Sequence, residues 1–166
     1  MELTPLRAPR TPRNVSLAWL AVAACIALIW GLSADLFAAS ETSRFLKPFL
    51  LWLFPDLDAA TLRRAHFLVR KAAHVTEYAV LAMLAFRAWW LSFETTLARI
   101  AALSLALVFA VAAVDEARQS FSAARTGTAW DVALDLAGGA VALVVLLLVQ
   151  RGLRAPPSPS YPHTPS

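Results

Sequence analysis

Most of the side chains that could do chemistry in this chain fall into three short stretches of an otherwise apolar sequence. Lys71, His74, Glu77 and Tyr78 form the first, Asp115, Glu116 and Gln119 the second, and Asp131 and Asp135 the third, with Arg125 between the last two. Three chemistries can be built from these residue types. Lys71 and Arg125 are suited to holding an anionic or polar headgroup, with the acids orienting them. His74 with Asp115 or Glu116 is a candidate acid–base pair, and with Asp131 and Asp135 a candidate hard-metal site of mixed oxygen and nitrogen donors. Carboxylates and a histidine within a membrane are also the usual materials of a proton relay. No His-Glu-x-x-His or comparable spacing is present, so neither a metal nor a catalytic role is assigned to any one residue.

Each residue alone has an ordinary structural explanation. Arg125 with Asp131 or Asp135 would lock a loop, and Asp131 would complement a helix dipole. A lone histidine is most often a hydrogen-bonded structural group. The group as a whole argues differently, because at least eight polar residues from three apolar segments converge at one depth, which is the pattern of a pocket. Helical geometry refines the pattern. At about 100° per residue, Lys71, His74 and Tyr78 fall within roughly 60° of one another. Asp115 and Gln119 share a face, whereas Glu116 is turned about 100° away, so Asp115 is expected to face the pocket and Glu116 the loop. Asp131, Asp135, Gly138 and Ala142 form one stripe, and the small residues Ala137 to Ala140 invite close approach by a neighbouring helix.

The elements that must position these groups are long apolar runs. Hydrophobic residues make up 59% of the 166 residues and charged residues 16%, against about 25% charged in ordinary soluble domains. Apolar runs extend from Val15 to Leu32, from about Phe67 to Trp90, from Leu97 to Val114 and from Trp130 to Val149. The first is longer than the h-region of a cleaved signal peptide and is not followed by a clean polar break, so it reads as a retained helix. The expectation is an all-α polytopic membrane protein with four transmembrane helices. Between the first two runs, FLKPFLLWLFPDLD is broken by Pro48 and Pro55 and reads as a short interfacial helix with Trp52 at headgroup depth. Residues 1–14 read as a basic cytoplasmic tail, 15–150 as one membrane domain and 151–166 as a disordered Pro/Ser-rich tail.

With four spans both termini lie on one side, and the three polar stretches all lie on the other. The tail side carries Arg7, Arg10, Arg13, Arg87, Arg99, Arg151 and Arg154 with little acid nearby, whereas the opposite side mixes its cations with acids. This favours cytoplasmic termini and an outward-facing pocket. The net charge of +4 is not gathered into a basic face, which argues against nucleic acid as a partner. The lone Cys25 excludes an intrachain disulfide and reads as an apolar filler.

The stretch RKAAHVTEYAVLAML resembles the first signature of the VanZ-like membrane proteins, in which Lys71, His74 and Tyr78 stand at the Lys–x–x–His–x–x–x–Tyr positions. The stretch DEARQSFSAARTGTAWDVALDLAGG resembles the second, matching it at Asp115, Glu116, Gln119, Phe121, Arg125, Asp131, Asp135 and Gly138. The region of Ser33 is similar to the serine-containing segment of that family, and Arg70 and Arg118 depart from its common usage. The resemblance covers roughly residues 15–150. It implies a bacterial cell-envelope protein of the cytoplasmic membrane, in a family named for a member associated with low-level resistance to the glycopeptide teicoplanin. The expected partners are the lipid bilayer and, on the headgroup-binding reading of Lys71 and Arg125, a lipid-linked or peptidoglycan-related envelope component. An integral-membrane enzyme acting on an envelope lipid, and a small carrier, are the competing readings, and no cofactor is assigned. The cluster's place near one face, with no broken-helix pair, ranks the carrier last.

Overall fold

The computed structural model describes residues 10–33, 47–120 and 129–152, and among these the regular structure is entirely helical. Helix α1 spans Pro12–Leu32, a short helix α2 covers 47–53, α3 spans Ala59–Ser92, α4 Leu97–Ser120 and α5 Ala129–Gly152. The helix starts follow local chemistry rather than hydropathy. Thr11 accepts a hydrogen bond from the Asn14 amide and Pro12 sits in the first turn, so α1 begins three residues ahead of its apolar run. Asp58 caps α3 by accepting from Thr61 N at 2.6 Å. That backbone bond, joined by one from the Thr61 side chain, holds the exposed Asp58 carboxyl below its ordinary pKa.

Helix α3 is the axis of the fold, packing against α1, α4 and α5, while α4 also packs against α5. Its 34 residues extend roughly 50 Å at about 1.5 Å each. The apolar run beginning at Phe67 therefore marks only part of it. The good helix formers Ala59, Ala60, Leu62, Arg63 and Arg64 carry the helix a further two turns toward its N-terminus.

Three helices, α1, α4 and α5, are long and apolar enough to cross a membrane. Helix α3 does not join them by composition, because charged and polar residues punctuate its first half. The outer surface is apolar in a way a soluble protein does not tolerate. On α5, Val141, Val144, Val145, Leu148 and Val149 recur at helical spacing, each more than half exposed. The short α2 bears Phe49, Trp52 and Leu53, with Phe54 just beyond it, all likewise outward.

The expected close contact at the small-residue stripe is present. A Cβ placed on Gly138 would lie 2.8 Å from the carbonyl oxygen of Val75 and 2.9 Å from its Cγ1. Here α5 meets the backbone of α3 directly. One residue on, a Cβ at Gly139 would be 3.4 Å from both Ala82 Cβ and Val108 Cγ1. Glycine is thus required at 138 by the approach of two backbones and not by torsion, since none of the described residues has positive φ.

The end of the bundle away from the polar cluster is tied by aromatics and one arginine. Arg10 forms an ion pair with Glu94 at 2.6 Å and donates to the carbonyls of Trp90 and Phe93, which close α3. Trp19 Nε1 donates to Ser92 Oγ at 3.0 Å, and its ring meets Trp89 edge-on at 4.6 Å. Arg10 belongs to the stretch expected to be a solvated tail, yet it is docked on the α3–α4 turn.

Candidate functional site

At the other end, four helices bring polar groups together. Ser33 closes α1, Lys71 to Tyr78 occupy the middle of α3, from just over one-third to about three-fifths of the way along, Asp115 to Gln119 end α4, and Asp131 and Asp135 lie in the first turns of α5. A chain of up-and-down helices places these segments at one end.

Asp115 is the most elaborately held. It is 2% exposed. Its Oδ2 accepts from Ser33 Oγ at 2.7 Å and from Gln119 Nε2 at 2.8 Å. A carboxylate buried this deeply is retained only with such partners. Its other oxygen, Oδ1, lies 3.6 Å from the Arg118 guanidinium, which also sits over the Trp30 ring at 5.4 Å. Glu116, the adjacent acid, is only partly buried. The two neighbours thus differ in burial, as the 100° between them leads one to expect.

Lys71 donates to Asp131, an ion pair that joins α3 to α5, and its ammonium also lies 5.5 Å from the Phe67 ring. The acid beside His74 is Glu77 of its own helix, at 3.6 Å. Tyr78 is completely buried. The acids that act on it electrostatically are Asp115, Asp135, Glu77 and Glu116. Asp135 is 4% exposed and stands within the electrostatic reach of Glu116, Lys71, Asp131 and Asp115. Of the nine candidates, Lys71, His74, Tyr78, Asp115, Glu116, Gln119, Asp131 and Asp135 therefore occupy one neighbourhood. Arg125 and Phe121 lie outside the described residues. Among the described residues no three His, Cys, Asp or Glu side chains are grouped to hold a metal ion.

Three contributors, Ser33, Arg118 and Trp30, carried no expected role in the pocket, and Glu77 stood in the first polar stretch without one. Glu77 was visible in the sequence beside His74. Ser33 had a weaker signal, a hydroxyl directly after an apolar run at the same end of the bundle. Arg118 stood out only as a departure from family usage that adds positive charge near the pocket, and Trp30 not at all, since their pairing depends on how α1 and α4 are rotated about their axes.

Comparison with known proteins gives one family. The profile of the family described as VanZ/LLP1 matches residues 17–150. No curated protein and no solved structure matches the chain.

Proposed function

The chain belongs to the VanZ/LLP1 family, and on that premise we propose that it is a four-span protein of the bacterial cytoplasmic membrane whose polar cluster binds the headgroup of an envelope component at the outer face. The observation that carries this is the burial of Tyr78, Asp115, Gln119 and Asp135 at one end of a bundle whose exterior is apolar. Ionisable groups inside a membrane domain cost several kcal/mol unless they serve a site or one another.

Helix α3 supplies the fourth span. It is the helix the other long ones pack against, so three spanning neighbours carry it across with them, its polar face turned inward. Helix α2, with Trp52 outward, lies in the interface. Orientation is tested by labelling. Cysteine placed at Arg125 in a Cys25→Ala background is expected to react with an impermeant maleimide in whole cells. Reaction only after lysis would reverse the topology and put the site on the cytoplasmic face.

Function is tested in a deletion strain profiled against glycopeptides, teicoplanin first, and other cell-wall inhibitors. Wild type is expected to restore the parental profile and His74→Ala is not. An unchanged profile on deletion would remove the link to the envelope. A second reading, an enzyme acting on an envelope lipid, rests on the nearness of Glu77 to His74, which at 3.6 Å is too long for a hydrogen bond but is the kind of contact that tightens into an acid–base pair when substrate binds. Stoichiometric divalent metal in purified protein, lost in His74→Ala, would move the assignment to that reading.

A further inference from the structure

Resting on the headgroup-binding reading, we propose that the ligand of this site carries a primary ammonium group, received by Tyr78, Glu77 and Asp115. An anion is the obvious guest for a site containing Lys71, but Lys71 is already bonded to Asp131. What remains around Tyr78 is acceptor-rich. Three buried oxygens from two helices, Tyr78 Oη, Glu77 Oε2 and Asp115 Oδ1, have no hydrogen-bond partner. His74 and Arg118 approach the two carboxylate oxygens only to 3.6 Å, beyond hydrogen-bond distance. The three groups lie on two helices that pack against each other, α3 and α4, with Asp115 within electrostatic reach of both Glu77 and Tyr78.

An unfilled buried acceptor costs about 1–3 kcal/mol, so three together mark a place meant to be filled. A primary ammonium brings three N–H donors and no acceptor. Charge points the same way. Five acids, Glu77, Asp115, Glu116, Asp131 and Asp135, gather here, and among the described residues Lys71, Arg70 and Arg118 together do not balance them. A metal ion fits less well, because no three ligating side chains are grouped closely enough among the described residues, whereas the N–H bonds of an ammonium reach outward to acceptors set further apart. A quaternary ammonium has the charge and none of the donors.

The test uses the full chain in nanodiscs of phosphatidylglycerol alone, or mixed equally with phosphatidylethanolamine or with phosphatidylcholine, and reads Tm from tryptophan emission. Ethanolamine added to phosphatidylglycerol discs forms the soluble arm. Tm is expected to be higher with phosphatidylethanolamine than with phosphatidylcholine. In Tyr78→Phe, the mole fraction giving half the effect is expected to rise about fivefold, the loss of one hydrogen bond. That variant loses only an unpartnered hydroxyl, so it should fold at least as stably as wild type in phosphatidylglycerol. Arg10→Ala, altered at the opposite end, should keep the full difference. A response to either the lipid or soluble ethanolamine supports the assignment and identifies the source of the amine. Equal Tm in the two mixed discs with no ethanolamine response overturns it, as does an undiminished response in Tyr78→Phe. If amines are inert but phosphatidylglycerol stabilises the protein relative to phosphatidylcholine, only the amine assignment falls. If no headgroup changes Tm, the binding reading falls with it.

Discussion

Asp115→Asn is expected to abolish function while leaving nearly all of the protein folded in the membrane. The substitution keeps shape, and the amide oxygen can still accept from Ser33 and Gln119, which both bond to a single oxygen of the native carboxylate. What it removes is the charge and the second acceptor, Oδ1. Losing a charge-assisted contact to a ligand weakens it by about 1.5–3 kcal/mol, on the order of 10- to 100-fold. The fold loses only the 3.6 Å attraction to Arg118, which is about half exposed and contributes little to stability. The measurement is complementation of the deletion strain, normalised to membrane protein level, set against the melting temperature in detergent. Ser33→Ala should move activity in the same direction and less far. Full activity in Asp115→Asn would mean that the buried carboxylate is only a structural tie between α1 and α4.

Gly138→Leu is expected to cause the largest loss of folded protein of any single change in α5. A Cβ alone would meet backbone at 2.8 Å, and backbone cannot swing aside as a side chain can. Overpacking costs about 1–3 kcal/mol even where side chains adjust, and occasionally more. The additional three carbons of leucine would force α5 away from α3 and with it strain the Lys71–Asp131 pair. Gly31→Ala is the control, since nothing lies within 4 Å of its Cβ position. It should be neutral or gain up to about 1 kcal/mol of helix propensity. Equal yield and Tm for Gly138→Leu and wild type would show that α5 does not seat on α3.

Much of the site was legible because parity and period are properties of the sequence. Counting apolar runs puts residues 71–78, 115–119 and 131–135 at one end, and a 100° rotation per residue separates Asp115 from Glu116 without any knowledge of tertiary contacts. The stripe from Asp135 to Gly138 foretold a close neighbour, and the lysine found an acid. What could not be read was which helix faces which. The bond from Ser33 to Asp115 joins residues 82 apart, and it depends on the rotation and height of two helices that hydropathy leaves free. The seating of Arg118 on Trp30 has the same origin. Hydropathy also under-measured α3, because an end made of good helix formers and arginines is helical without being apolar. Arg10 reads as part of a basic tail because a short basic segment gives no sign that unsatisfied carbonyls await it at the end of α3.

The length of α3 makes bilayer thickness a variable for this protein. Lys71 stands 20 residues before Leu91, about 30 Å along the helix axis, which is close to the thickness of a hydrocarbon core. If α3 spans the membrane as proposed, with Trp89 and Trp90 at one interface, the ion pair of Lys71 and Asp131 would fall at the boundary between lipid tails and headgroups on the other. A membrane a few ångströms thicker would draw that pair into hydrocarbon or make the helix tilt, and a thinner one would hydrate it. The occupancy of the site should then follow acyl-chain length at constant headgroup composition.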